Sequence, residues 1–450
     1  MIGDGSLLLQ PAGLLAGTEV RHDRPWSGPL LDRDVPALLV KVGQYPVHSG
    51  GLGVIRTLGR LGVPVYAITE PGLTPAAASR YLEGRFVWRA TGHEDQRQLV
   101  AGLREIGEAI GRPAVAIAAD DEAAVLIAEH QPELSDRFLI PPVTPALPRK
   151  LASKTGLFEL CVEHGVPAPA SITPGSYAEA AEFAATATFP VVIKNAEVWE
   201  RRQRPVVPGT TVVRSERELL GLIGKAGRSP AGSAGRPRSP GVILQEYIPP
   251  EHGQDWFVHL YCDATSTCRV LFTGLKVRSW PPGAGVTACA YSIANPVVAA
   301  LAERFCAQIG YVGVADLDLR LDLRDGQYKL VDFNPRAGNQ FRLFETKAGI
   351  DVVRAQHLDL TGRPIPASPQ VTGRRIIVEH ADLLARVAYR HRPGLRRHAS
   401  SVKPGHTSTE YAWLATDDPF PFWVMTRHVA GAAARRLRRR LTEGLTRSPR

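Results

Sequence analysis

Residues 315–336, ADLDLRLDLRDGQYKLVDFNPR, constrain this chain more than any other stretch. Apolar and charged residues alternate with a period of two, which suits a strand and not a helix. Asp325-Gly326 is a turn signal of the kind that joins two antiparallel strands. The alternation places Asp316, Asp318 and Arg320 on one face of the first strand, and Asp332 and Asn334 share a face of the returning strand. Leu317, Leu319, Val331 and Phe333 are expected to form the apolar face. Carboxylates and an amide oxygen converging on adjacent strands are hard oxygen donors, which suit Mg²⁺ with phosphate oxygens and water in its remaining positions. Arg336 follows at once, and a guanidinium beside a metal suits a triphosphate. The bland alternative is a solvated hairpin face carrying incidental acids.

The surrounding chain has to build a fold around that ribbon. Residues 1–35 are Gly/Pro-rich without periodicity and read as a loose extension. Next come a buried-strand run PALLVKV, the loop GQYPVHSGGLG, the helical VIRTLGRLG and the strand VPVYAIT, which make a βαβ unit and hence a parallel sheet. PAVAIAAD adds a strand with Asp120 and Asp121 at its C-terminal end, where open α/β sheets place ligands. The glycines Gly50, Gly51 and Gly53 form only a partial dinucleotide fingerprint, since Arg56 stands at the last position, and no NAD reading follows. One helix, LASKTGLFELCVEHG, is expected after the Pro-rich link at residues 141–150, ending at Gly165. Strands then dominate, with Ser215 and Glu218 placed as a capping box for the helix between them. The resulting classes are α/β for the first region and α+β for the second.

Lysine is scarce: nine against 45 arginines. Lys194 closes the apolar strand FPVVIK, where a compact ammonium can meet a phosphate, while Lys154 alone reads as a surface lysine. Lys276, with Arg278 beside it in GLKVRS, is a third candidate. The Pro-rich bend in ILQEYIPPEHGQDWFV can present backbone groups to an adenine edge, and Asp255 follows as a carboxylate for ribose hydroxyls.

In this order, from about Lys150 to Arg342, the segments resemble the ATP-grasp superfamily. Within it they look like the carboxylate–amine ligases related to D-aspartate ligase and, more distantly, D-alanine–D-alanine ligase. The stretch from Ser49 to Phe86 also looks like the domain that precedes the grasp in that group. The resemblance implies an ATP-grasp fold, two α+β subdomains clamping ATP, preceded by a Rossmann-like pre-ATP-grasp domain. Its boundaries would be an extension over 1–35, the Rossmann-like domain over 36–148, the grasp over 149–366 and a basic helical tail over 367–450. Carried over residue by residue, Lys154, Lys194 and Lys276 resemble phosphate ligands, and Gln245, Glu246 and Ile248 the adenine hinge. Asp255 resembles the ribose acid, and Asp318, Asp332 and Asn334 the metal ligands. Arg336, Lys276 and Arg278 are the candidates nearest the chemistry. The first metal ligand is Asp318 or Asp316, Asp318 being preferred by its spacing from Asp332. The loop at residues 195–211 has one glycine where many relatives are glycine-rich, which puts phosphate contacts from Gly209, Thr210 and Thr211 in doubt.

The activity so implied is ATP-dependent joining of a small carboxylate, an amino acid above all, to an amine through an acyl phosphate. ADP and phosphate would leave, with Mg²⁺ (two ions, Mn²⁺ a substitute) as cofactor. The alternatives are a ligase for a peptide or carrier-bound acid and a non-catalytic ATP-binding module. The loop at residues 198–208 and the Ser/Gly/Pro-rich stretch at 228–240 are candidates for a closing lid. No run of about 18 apolar residues occurs and the start lacks a basic segment, so a cytoplasmic protein is expected. The five cysteines form no CxxC pair and read as free thiols, although Cys262 and Cys268 can face each other across a hairpin. The net charge of +10 resides in the tail, where residues 374–450 hold 16 Lys+Arg and six Asp+Glu. The neutral body gives no reason to expect nucleic acid. The arginine-rich tail reads as a solvated helix or as a contact for an anionic membrane. Oligomeric state is not legible.

Overall fold

The computed structural model describes residues 9–11, 31–88, 94–197, 205–207, 209–227, 241–283, 285–391, 405 and 407–445. The proposed lid at 228–240 and most of 198–208 lie outside them, as does most of the N-terminal extension. Three sheets organise the chain.

The first sheet holds β1 (Leu9–Pro11), β2 (Ala37–Val40), β3 (Val65–Thr69), β4 (Gly84–Val87), β5 (Ala114–Ala118) and β6 (Phe138–Leu139) in the order β1-β4-β3-β2-β5-β6. All pairings except β1–β4 are parallel. The chain winds outward from β2 in one direction and then returns to β5 on its other side. The C-terminal ends of β2 and β5 therefore flank a topological switch point, the place where such sheets bind ligands. Helix α1 (Ser49–Gly59) follows β2, and α2 (Asp121–Glu129) follows β5.

A second, four-stranded sheet has the order β7-β10-β8-β9, from β7 (Ser171–Ile172), β8 (Val191–Asn195), β9 (Thr211–Val213) and β10 (Val242–Glu246). It is covered by helices Tyr177–Thr186 and Glu216–Gly227 and has a core of its own, built from Ala180, Ile193, Leu219 and Leu244. The expected capping box is present: the Ser215 hydroxyl accepts from the Glu218 amide at 3.3 Å, and the Glu218 carboxylate accepts from the Arg214 amide at 2.8 Å.

The third sheet is the largest, in the order β15-β14-β11-β12-β13-β16-β17. Its members are β11 (Gly253–Cys262), β12 (Cys268–Trp280), β13 (Val286–Ser292), β14 (Gly313–Asp322), β15 (Gln327–Asn334), β16 (Arg374–Ile377) and β17 (Ser408–Tyr411). One face, through Phe257, Tyr261 and Phe272, shares a core with the first domain. That core includes α1 and the helix α5 (Val352–Leu360); α3 (Leu147–Ala152) and α4 (Lys154–Glu163) precede the small sheet in the chain. Val258, Leu260, Leu317 and Phe333 pack on the other face with α3, α4 and Phe305. Domain one and the large sheet are thus welded by a common core, whereas the small sheet stands on its own.

The structure differs from the sequence expectation at three places. The single helix expected at 151–165 is two, because Ser153 is extended (φ −69°, ψ 129°) and its hydroxyl caps α4 through the Gly156 amide. In the hairpin, a bulge after Asp318 makes Val331 the extra residue, so Leu330 joins Phe333 in the core instead. The region after 373 is not helical throughout: β16 and β17 extend the large sheet, with α6 (Glu379–Arg390) between them in the chain and α7 (Phe420–Leu445) after them. These strands read poorly because β16, Arg-Arg-Ile-Ile, is short and lacks alternation. Cys262 and Cys268 do face each other across β11 and β12, with their sulfurs 2.9 Å apart as free thiols.

The C-terminal segment is tied to domain one by buried charge. Arg56 donates to the Asp418 carboxylate at 3.0 Å and to the Trp413 and Asp418 carbonyls, while Ser79 and the Arg80 amide also donate to Asp418. Removing one partner of a buried pair leaves the other uncompensated. Asp418→Ala should therefore cost about 3 kcal/mol in urea unfolding, with Arg60→Ala, on the half-exposed Asp417, costing clearly less.

Candidate functional site

Strand register builds the site as three rungs on the face of the large sheet that turns toward domain one. The outer rung is Lys276–Asp255–Arg320, the middle one Gly274–Phe257–Asp318–Asp332, and the inner one Phe272–His259–Asp316–Asn334. The next residue inward on β11, Tyr261, is already in the shared core. Polarity thus falls along the strands from an open edge to a sealed interior.

In the outer rung, Arg320 donates to Asp255 at 2.6 Å. Tyr247, beside this pair, has its phenol pushed up by burial. Gln245 is fully used, accepting from Lys194 and donating to Ser171, each at 3.0 Å. Glu246 is paired with Arg324 at 2.5 Å and lies 3.5 Å from Lys329, which docks the end of the small sheet on the β14–β15 turn. Ile248 is buried. The residues from Gln245 to Ile248 therefore sit where the small sheet meets the outer rung.

The middle rung gathers charge. Asp318 stands opposite Asp332, with the Lys276 ammonium 3.5 Å from Asp318. Lys154 donates to Asp332. The Ser153 break puts Lys154 at the first turn of α4, and its amide is held by the Ala196 carbonyl at 2.9 Å, one residue beyond β8. This is how Lys154 and Lys194, far apart in the chain, come to the same place. Burial pulls the Lys194 ammonium down to about 8, against the attraction of Asp332 and with the repulsion of Lys154. Burial also opposes the charges on Lys276 and Asp332, but their partners win. Asp318 and Asp255 hold the Lys276 ammonium above its usual range, and Lys154 and Lys194 hold the Asp332 carboxyl below its own.

On the inner rung, burial and then Asp318 push the Asp316 carboxyl well above the usual range. His259 lies 3.3 Å away, and burial takes its imidazole down to about 3. The two lie buried side by side under Gly338, where any side chain would collide with both. Arg336 crosses the domain boundary: it donates to Asn334 Oδ1 at 3.1 Å and to Asp121 Oδ1 at 3.1 Å. Asp121 opens α2 at the switch point, and its neighbour Asp120 clamps the end of β2 by accepting from the Val42 and Gly43 amides at 3.0 and 2.6 Å. Arg278 lies apart, turned to α6 by a bulge after Lys276, and donates to Asp382 at 2.6 Å.

The structure thus brings together Lys154, Lys194, Lys276, Asp318, Asp332, Asn334 and Arg336, with the Gln245–Ile248 hinge and Asp255 at the outer edge. It does not bring Arg278 there. His259 and Gly338 were not picked out as site residues by sequence reasoning, whereas Asp121 was placed at the ligand-binding end of its sheet. Alternation from Asp255 through WFVH does put His259 on the same face, a signal that was available. For a divalent cation the donor chemistry fits: hard oxygens from Asp318, Asp332 and Asn334. No cluster of three or more His, Cys, Asp or Glu suited to a metal occurs among the described residues. The chain alone would supply part of a coordination shell, the rest coming from a ligand's oxygens, as Mg²⁺ prefers.

No family model matches the chain. It is 27% identical over 255 residues to D-aspartate ligase of Enterococcus faecium (strain Aus0004), a match covering 53% of this chain and 56% of that protein. The chain thus spans about half the length of the curated relative it matches. Among solved structures, a biotin carboxylase–β,γ-ATP complex from Campylobacter jejuni has a TM-score of 0.55 at 14% identity, covering 76% of this chain and 74% of that one. An L-amino acid ligase from Bacillus licheniformis has a TM-score of 0.53 at 17% identity, covering 73% and 75%. The biotin carboxylase domain of Hydrogenobacter thermophilus 2-oxoglutarate carboxylase, with MgADP and bicarbonate, has 0.53 at 14%, covering 74% and 71%. The chain has the ATP-grasp fold with a Rossmann-like domain before it.

The buried Lys194 yields a direct test of this electrostatic arrangement. With its folded value near 8, the ammonium is charged below that pH and neutral above it. In an NMR titration of reductively methylated protein, one lysine signal should titrate near pH 8 and vanish in Lys194→Met. All lysines titrating near 10.5 would contradict the burial.

Proposed function

We propose that this ATP-grasp chain joins a small carboxylate to an amine at the expense of ATP, through an acyl phosphate. One observation carries the reading: Asp318 and Asp332, opposed on paired strands of one sheet, meet Lys194 of another, with Lys154 bridging to Asp332. That combination suits a triphosphate and its metal, and little else needs two acids and two or three lysines at one seam. The sequence relationship to D-aspartate ligase supports an amino acid as a substrate.

In this reading the Gln245–Ile248 hinge and Asp255 hold the nucleoside at the outer rung. Lys154, Lys194 and Lys276 take the phosphates, exchanging their carboxylate partners for phosphate oxygens. Asp318, Asp332 and Asn334 hold Mg²⁺, whose contribution is to neutralise charge on the phosphates in the transferred state. A carboxylate is a poor acyl donor, and phosphorylation by ATP gives it a good leaving group. The chain needs no covalent nucleophile for this, only positioning and charge. Arg336, reaching from Asn334 to Asp121, stands where the phosphorylated acid would lie between the large sheet and the switch point. An amine then attacks the acyl carbon, forming the amide and releasing phosphate. The small sheet, with its own core, is free to close over the nucleotide and exclude the water that would hydrolyse the acyl phosphate.

Purified protein should release ADP only when a suitable acid and amine are both present, as read by coupled ADP assay and product mass across pairs of amino acids and small carboxylates. Asp332→Asn and Lys194→Ala should each reduce that turnover by at least about a hundredfold, the scale on which loss of one electrostatic contact acts, while circular dichroism stays unchanged. Undiminished turnover in either variant would rule the reading out.

A further inference from the structure

The C-terminal segment concentrates two features that the site does not use. Of the large apolar side chains exposed among the described residues, Leu383, Leu384 and Val387 on α6, Leu414, and Phe420 and Trp423 on α7 all belong to it. Trp423 is 63% exposed and Phe420 55%, and they lie three residues apart, hence on one face of the helix. The whole formal charge of the protein, +10, also falls on residues 374–450.

Helix α7 shows how the two are combined. Met425, with Phe422 and Val429, fixes its first turns against Leu52 and Trp413, and His428 Nε2 is 2.8 Å from the Leu73 carbonyl. Met425 is the last fully buried residue described on it, yet the helix runs on to Leu445. Arg427, Arg435 and Arg438 are exposed along that length, within a sequence that also carries Arg436, Arg439 and Arg440. The helix is thus packed on the body at one end and bears exposed aromatic rings at its root and arginines beyond. No helix among the described residues is long and apolar enough to cross a membrane.

We propose that this C-terminal surface docks the protein on an anionic lipid bilayer, with α7 lying along the headgroup layer. Each exposed feature has a role in that setting. Clustered arginines are attracted to an anionic leaflet, indole and phenyl rings favour the interface, and leucines are gained by entering it. Nucleic acid would use the arginines but would leave Leu383, Leu384, Val387 and Leu414 unrewarded, and the neutral body offers it no basic groove.

The test is co-sedimentation of the full chain with vesicles of phosphatidylglycerol and phosphatidylcholine, with vesicles of phosphatidylcholine alone, and with duplex DNA in a separate arm. Binding to the anionic vesicles is expected, weakened about tenfold or more by Arg435→Glu/Arg438→Glu and by raising salt to about 0.5 M. Phe420→Ala/Trp423→Ala should weaken it as well. Brominated lipid should quench emission of the intact chain, and Trp423→Phe should remove that quenching while binding persists. No vesicle binding at low salt, equal binding by the charge-reversed variant, or binding to DNA but not vesicles would each overturn the proposal. None of these side chains touches the ATP-grasp site, so ADP release is read separately and remains unchanged.

Discussion

Everything at the centre of this protein depends on opposite charges cancelling in a cleft only partly open to water. Four cations, Lys154, Lys194, Lys276 and Arg336, are packed against Asp316, Asp318, Asp332 and Asp121 along two adjoining sheets and a helix terminus. Any one of them alone would cost several kcal/mol to bury. Together they persist because each has a partner, and the group with the least help shows it. Lys194 has an amide oxygen for a direct partner, with the carboxylates acting only at a distance, and it is the lysine whose ammonium is depressed. On the proposed ligase reading, a metal–triphosphate replaces this internal bookkeeping: its phosphates satisfy the lysines and its cation the carboxylates. A strongly charged ligand can then enter without leaving an unpaired charge behind.

The way the cores are divided gives that exchange a mechanical setting. Domain one and the large sheet share one hydrophobic cluster, so the Asp121–Arg336–Asn334 chain spans two parts that cannot separate cheaply. The small sheet has an independent cluster and meets the rest through ion pairs of Glu246 with Arg324 and Lys329, and through the Ala196 carbonyl, which accepts from the Lys154 amide. Polar, partly exposed contacts of that kind are weak in water and easily remade. Rigidity therefore lies where the acids must keep their register, and freedom where a nucleotide has to enter.

Much of this was legible in the chain. Period-two alternation in residues 315–336 reported the strands, their facing acids and the turn, because a half-buried ribbon admits few other patterns. The parallel domain was equally readable, since apolar runs and short connections allow one winding. What escaped were features decided by tertiary packing. The Val331 bulge depends on a fit between Leu330 and the core, not on local preference. The break at Ser153 is a capping choice inside a sequence that would otherwise continue as helix. Arg278 has the same strand parity as Lys276, and only the intervening bulge sends it to Asp382. Alternation from Asp255 puts His259 on the site face, but only the pairing of β11 with β14 sets it opposite Asp316.

That last pair shows what the gradient along the sheet accomplishes. Asp316 and Asp318 are two residues apart on one strand, chemically identical, and differ only in depth. Asp318 faces Lys276 on the middle rung; Asp316 lies one rung inward, against a neutral histidine and beneath a glycine that leaves no room for a side chain. Burial and the charge of Asp318 hold the inner carboxyl toward its protonated form. A neutral carboxyl is a poor metal ligand and a good hydrogen-bond donor. On the proposed reading, depth therefore favours Asp318 as the metal-binding acid and leaves Asp316 beside Arg336, 3.8 Å away. Spacing from Asp332 prefers the same acid, but only depth supplies a physical reason, because both acids stand on the same face of the same strand.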